Sequence, residues 1–281
     1  MEKNPENIPV NPVSGTEAAK SFEITRLKDG EQVNARHDLI CEEPLLISIE
    51  KKPYSVIMRT PGDEIFHVAG FCLAEGIIDD YTDFNNIDFY SGSDTNVVEV
   101  TLRLERLEKI SSLLERKGFI NLAGCGLCGK RFIEEISLIL QHSDMNKKIT
   151  VNEIYRASSR LMEAQRLYKD TRGSHAIVIL DKNLDVISKG EDVGRHNAFD
   201  KAVGSALMNG RLKNAYVAVL TSRISFEMIQ KANRAGISFM VSKSRPTALA
   251  VELGRSLNMT LVCHSEGKDM AIFSGQERII W

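Results

Sequence analysis

Tyr216 to Val262 reads YVAVLTSRISFEMIQKANRAGISFMVSKSRPTALAVELGRSLNMTLV and sets the architecture. Tyr216–Leu220, Ile237–Val241 and Met259–Val262 are short apolar runs of strand length. Helical segments open between them, near Ile224 and Thr247. Strands that alternate with helices build an α/β layer structure. The pattern extends upstream to strands at Ala176–Leu180 and Leu184–Ser188, followed by a helix near Val193. Earlier still, Ile154, Ser158, Leu161, Met162 and Gln165 form one helical stripe, and Phe132, Ile133, Ile136, Ile139 and Leu140 another.

The amino-terminal half reads differently. Phe22 to about Arg59 is β-rich, with Tyr54–Arg59 the clearest strand. A helix is predicted after the turn Thr60-Pro-Gly-Asp63, a strand at Val97–Leu102 and a charged helix over Glu105–Lys117. Met1–Lys20, with Pro5, Pro9 and Pro12 among asparagines, reads as a disordered lead-in. The expected divisions are a tail at 1–20, an α+β part at 21–120, a glycine-rich loop at 121–129 and a carboxyl-terminal α/β domain at 130–281.

The formal net charge of −2 supplies no global field for nucleic acid or an anionic membrane. No apolar run approaches membrane-span length, and Met1–Lys20 lacks a signal-peptide layout. Five cysteines in a chain this long do not form a disulfide framework. A cytoplasmic protein with reduced thiols is expected.

Cys125 and Cys128 sit in Gly124-Cys-Gly-Leu-Cys-Gly129. The glycines leave both sulfurs approachable. Lys130, Arg131 and the start of the expected helix place positive charge beside Cys128, which favours the attacking thiolate. Structural zinc lacks a second ligand pair in the sequence. A dinucleotide fingerprint lacks its βαβ context, because Val151 onward is helical. A deaminase needs H-x-E before the cysteines, and His264-Ser-Glu266 comes long after them. Sulfur transfer and thiol redox chemistry remain level on residue chemistry alone.

Three strand-to-helix junctions share a cation: Gly190-Glu-Asp-Val-Gly-Arg-His196, Thr221-Ser-Arg223 and Ser242-Lys-Ser-Arg-Pro-Thr247. A cation at a helix start opposes the helix dipole, and an anion there resolves the conflict. Ligands of open α/β sheets bind beyond the strand ends. The three turns together are read as one phosphate-binding site. Each residue also has a plain role open to it: Asp192, Ser222 and Thr247 as caps, the arginines as partners of Glu191, Glu227 and Glu252.

At this point the chain resembles the FdhD family of formate dehydrogenase accessory sulfurtransferases. The resemblance is carried by Arg59-Thr-Pro-Gly-Asp-Glu64 with Ala69–Ile78, by the cysteine loop, by Gly190–Lys201 and by Pro246–Leu253. It implies a cytidine-deaminase-like fold for the carboxyl-terminal α/β/α layers, and a homodimer. It implies sulfur received from a cysteine desulfurase as a Cys125 persulfide, with Cys128 as helper. The sulfur passes to the molybdenum bis(molybdopterin guanine dinucleotide) cofactor, bound as substrate with no permanent metal, for formate dehydrogenase. The cofactor-binding residues it implies are His175, Asp192, Arg195, His196, Ser222, Arg223, Ser244 and Arg245, with the segment His264, Ser265, Glu266, Gly267, Lys268 and Asp269. This chain departs from the family pattern at Arg172 and Ser222, where glycine is usual, and at Glu266 and Asp269, which repel phosphate if they face it. The rivals are a non-catalytic cofactor chaperone and a CxxC oxidoreductase.

Overall fold

The computed structural model describes residues 17–92, 95–116, 140–264 and 269–281. Cys125, Cys128, their loop, the helix expected over Phe132–Ile139 and the run Ser265, Glu266, Gly267, Lys268 lie outside the described residues.

The amino-terminal part opens with a hairpin, β1 (Ala19–Lys28) and β2 (Glu31–Ile40), turned at Asp29 and Gly30, both at positive φ. A second sheet follows, built from β3 (Glu43–Ile49), β4 (Lys52–Arg59), β5 (Phe84–Gly92) and β6 (Thr95–Leu102) in the order β4-β3-β6-β5. Its inward residues, Leu45, Ile47, Val98 and Val100, share a core with the helix α1 (Glu64–Ala74). The helix α2 (Leu104–Arg116) follows β6. The strand at 54–59, the helix after Asp63, the strand at 97–102 and the charged helix are all present at the expected places.

The carboxyl-terminal part runs β7 (Ile149–Thr150), α3 (Val151–Arg160), α4 (Arg166–Thr171), β8 (His175–Leu180), β9 (Val186–Asp192), α5 (Arg195–Met208), β10 (Val217–Leu220), α6 (Phe226–Arg234), β11 (Phe239–Ser242), α7 (Ala248–Ser256), β12 (Thr260–His264), β13 (Met270–Ser274) and β14 (Ile279–Ile280). Six of these strands form one sheet, ordered β13-β12-β11-β10-β8-β9. β10, β11 and β12 are parallel, and the other neighbours are antiparallel. Ile177, Ile179, Ala218 and Met240 face one core with α5, α6 and α7. Val178, Val219, Phe239 and Val241 face a second core with α3. Burial on both faces explains why these strands are continuous apolar runs rather than alternating ones.

The first core also contains the inner face of the four-stranded sheet, so the two parts of the chain share it. Two glycines make the junction. A Cβ on Gly70 of α1 would stand 2.0 Å from Asp200 O, and one on Gly204 of α5 would stand 1.8 Å from Phe66 O. The two helix backbones touch there, which only glycine permits.

Two expectations shift. The strand expected at Leu184–Ser188 starts at Val186 and continues to Asp192. Leu184 instead adopts positive φ in a turn whose N–H groups at Asn183 and Asp185 donate to Asp181 Oδ1. The segment Gly190–Asp192, read as a turn, is therefore strand. Gly190 lies under α5, where a Cβ would sit 2.2 Å from Ala198 O. Met162, expected on an apolar stripe, is 59% exposed. The α-helix tightens to a 3-10 turn at Leu161–Ala164, and its three-residue period brings Ala164 inward instead. Among the described residues, no helix is long and apolar enough to cross a membrane.

Candidate functional site at one edge of the central sheet

Strand register brings the three junctions to a single edge. Asp192 at the end of β9 pairs with His175 at the start of β8. Thr221, just past β10, donates its N–H to Ala176 O at 3.1 Å. Lys243 N–H donates to Leu220 O at 3.1 Å, which aligns the end of β11. Ser242 pairs with Cys263, and His264 with Met270. Helices α5, α6 and α7 all start from this edge. Four strand spacings, about 19 Å, separate β9 from β12.

The first turn is shaped by a buried polar hub. Asp192 is fully buried, and its carboxylate accepts from Thr60 N at 3.0 Å, Gly194 N at 2.9 Å and Asn197 Nδ2 at 3.0 Å. Lys201 Nζ lies 2.8 Å from it and also donates to Thr60 O. Asn197 and Lys201, four residues apart, share the helix face turned to Asp192. The expected cap residue is thus directed into the interior, where it ties α5 to the chain just before α1. Glu191 behaves similarly, accepting from Leu167 N, Tyr168 N and Ser174 Oγ. It starts α4 and does not pair with Arg195.

Arg195 and His196 occupy the outer side of the same turn. Arg195 is half-buried, and its Nε has no hydrogen-bond partner among the described residues. His196 Nε2 stands 3.9 Å from Glu227 Oε2, and Ser225 Oγ donates to that same oxygen at 2.7 Å. His196 first, then Ser225, draws the Glu227 carboxyl down to about 2, against the opposing effect of burial. His175 Nδ1 lies 3.3 Å from Thr221 Oγ1. Burial, then Arg195 and His196, lowers the His175 imidazole below its ordinary range.

Ser242 joins the second turn to the third. Its hydroxyl donates to Ser222 O at 2.6 Å and accepts from Ser244 N at 2.9 Å. Ser222 is buried, and its hydroxyl donates to Arg223 O rather than capping a helix. Thr247 does cap α7, accepting from Ala250 N at 3.3 Å. Arg223 and Arg245 are exposed, and with Arg195 they enter no ion pair with another described residue. Among the described residues, no side chain caps the start of α5 or α6.

At the far end, His264 Nδ1 is 2.8 Å from Ser158 Oγ, and its ring meets Tyr155 edge-on. This contact turns His264 toward α3. Asp269 is exposed just before β13. Cys263 lies beside them, its thiol raised chiefly by burial and opposed by Arg245. A separate cavity of about 530 Å³ opens along β9 between Phe66, Val186 and Lys189, and none of the expected site residues lines it.

Sequence reasoning missed Thr60, Glu191, Asn197 and Lys201 as the supports of this edge. The i, i+4 spacing of Asn197 and Lys201 was the available signal.

The family model described as FdhD/NarQ family matches residues 40–280. A protein of Streptomyces coelicolor named sulfur carrier protein FdhD is 35% identical over 268 residues, covering 91% of this chain and 94% of that one. The protein of that name from Saccharolobus solfataricus is 32% identical over 264 residues, covering 92% and 98%. The fold is also that of a crystal structure described as a formate dehydrogenase accessory protein from Desulfotalea psychrophila, with a TM-score of 0.74, 20% identity, and coverage of 94% of this chain and 100% of the other.

Proposed function

Because the chain belongs to the FdhD/NarQ family, we propose that it is a sulfur carrier serving formate dehydrogenase. Cys125 thiolate attacks the terminal sulfur of a cysteine desulfurase persulfide. The donor cysteine leaves as thiolate, and Cys125 becomes a persulfide. Delivery of that sulfur at the sulfide level needs two electrons. Cys128 supplies them by attacking the Cys125 sulfur, which leaves a Cys125–Cys128 disulfide for a thiol reductant to reset. The acceptor is the molybdenum bis(molybdopterin guanine dinucleotide) cofactor, held as substrate at the sheet edge. A homodimer working in the cytoplasm, with cytidine-deaminase-like carboxyl-terminal layers, completes this reading.

One observation carries the ligand class. Among the described residues, Arg195, Arg223 and Arg245 stand along one edge without ion-pair partners, beside starts of α5 and α6 that no described side chain caps. Unpaired guanidinium groups next to free helix N–H groups suit phosphate oxygens. The arginines follow β9, β10 and β11, three strand spacings or about 14 Å in all, a spread that suits a dinucleotide better than a single phosphate. His196 and Glu227 sit between the first two turns and can orient a ligand N–H or hydroxyl.

The test pairs two readouts. Titration with GDP, a fragment of the expected substrate, is to show binding that weakens in Arg223→Ala and Arg245→Ala. Loading with a desulfurase and labelled cysteine is to add one reductant-labile sulfur to the Cys125 peptide. GDP binding with no loading of Cys125 favours the cofactor-chaperone reading. Loading without GDP binding removes the sheet-edge site.

A further inference from the structure

The turns after β10 and β11 run side by side. The two strands are parallel neighbours, with Leu220 in register with Ser242. Arg223 and Arg245 therefore stand at the same step, three residues beyond a registered pair. Hydrogen bonds carry this alignment past the strand ends. Lys243 N donates to Leu220 O at 3.1 Å, and Thr247 N to Ile224 O at 3.0 Å. Ser242 Oγ donates to Ser222 O at 2.6 Å, and Ser244 Oγ to Thr221 O at 3.4 Å. The turn that bears Arg195 is tied instead to Thr60 and to α5, and β8 separates its strand from β10, a distance of about 10 Å.

One buried hydroxyl closes the pairing. Ser242 is 1% exposed. Its hydroxyl donates to the carbonyl of Ser222, the residue before Arg223, and accepts from the N–H of Ser244, the residue before Arg245. A single side chain thus fixes the main chain immediately ahead of both cations. Both arginines are exposed, and neither is ion-paired with another described residue. Lys243 adds an exposed cation on the same turn as Arg245. Of the acids on adjoining elements, Glu227 accepts from Ser225 Oγ, Glu252 on α7 makes no ion pair with Arg245, and Asp269 acts on Cys263 from the β13 side.

We infer that Arg223 and Arg245 form one preset seat for a diphosphate group, and that Ser242 is the positioning residue that sets it. A guanidinium fork engages two oxygens at once, so two forks on a common seat call for more non-bridging oxygens than one phosphomonoester carries; a diphosphate carries enough. The fixed spacing also removes the cost of bringing two cations together before a ligand arrives. The seat deepens the sheet-edge site of the proposed function. It rests on that reading for the nucleotide, whereas the diphosphate follows from the paired turns.

Calorimetric titration of the full chain with GDP, GMP and inorganic pyrophosphate tests the seat. The wild type is expected to bind GDP at least about tenfold more tightly than GMP, with pyrophosphate competing for the same site. Arg223→Ala and Arg245→Ala are each expected to lose most of that preference. Ser242→Ala is expected to lower GDP affinity about tenfold and GMP affinity less than about twofold, and Ser242→Thr, which keeps the hydroxyl, to keep the preference. A purely structural loss at Ser242 weakens both nucleotides alike, and that result overturns the positioning role. Equal binding of GDP and GMP by the wild type, or a preference that survives both arginine variants, overturns the seat and leaves the nucleotide reading standing. Pyrophosphate bound through both arginines, with GDP unbound, sustains the seat and removes the nucleotide reading. Binding of neither overturns both. The arginine variants keep the buried hydroxyl, so the ratio of GDP to GMP affinity decides the seat even where Ser242→Ala fails to fold.

Discussion

Lys201→Met removes the cation from the hub beneath the first turn. Asp192 is fully buried, and Lys201 is 2% exposed. Without Lys201 the carboxylate remains inside, still holding three N–H donors from Thr60, Gly194 and Asn197. Breaking one side of a buried pair costs about 3–5 kcal/mol. The three remaining donors put this case near the lower end, about 3 kcal/mol. At roughly 2–4 °C per kcal/mol for a chain of this size, the unfolding midpoint falls by about 6–12 °C. Asp192→Asn in the same chain removes the stranded charge, so the double variant is expected to lose at least about 1 kcal/mol less than the two singles together. Thermal and urea unfolding of the four proteins measures this directly. Because the hub positions Arg195, GDP affinity is expected to fall in Lys201→Met as well. A Lys201→Met midpoint within a degree of wild type, or strictly additive losses, refutes the placement of this pair in the interior.

Other consequences are equally open to measurement. Gly204→Ala forces a methyl group against Phe66 O and is expected to cost about 1–3 kcal/mol or more in urea unfolding, since backbone must move to admit it. Arg223→Ala and Arg245→Ala are expected to weaken GDP binding about tenfold each, with unfolding midpoints unchanged because neither guanidinium is ion-paired with another described residue. His67 is fully buried, and burial, then Lys201, Lys231 and Arg59, lowers its imidazole far below the ordinary value. Its contribution to stability is therefore complete above the unfolded value of roughly 6.5 and is lost as pH falls, at up to about 1.4 kcal/mol per pH unit. His67→Leu is expected to flatten the stability profile on the acid side of roughly pH 6.5, as read from urea midpoints at stepped pH.

Much of this architecture was legible because period carries it. The apolar runs at Tyr216–Leu220, Ile237–Val241 and Met259–Val262 are buried on both faces, so each reads as a strand regardless of neighbours. The three cationic junctions were legible too, and strand register does set them along one edge. What local sequence does not carry is long-range contact. Gly190 reads as a turn residue, yet it is strand because a helix lies on it. Asp192 reads as a cap, yet it faces inward because Lys201 and Thr60 await it there. Glu191 reads as a partner for Arg195, yet three donors from the region of α4 take it. Met162 fits an α-helical stripe only if the helix keeps its period, and the 3-10 turn changes it.

The persulfide state of Cys125 is the most direct test of the central claim. Reduced protein is mixed with a cysteine desulfurase and isotope-labelled cysteine, and intact and peptide masses are read with and without reductant. The expected result is one labelled, reductant-labile sulfur on the Cys125–Cys128 peptide, absent after Cys125→Ser. An unmodified wild-type peptide with several desulfurases, in protein that binds GDP normally, contradicts the sulfur-carrier account and leaves a cofactor-binding protein in its place.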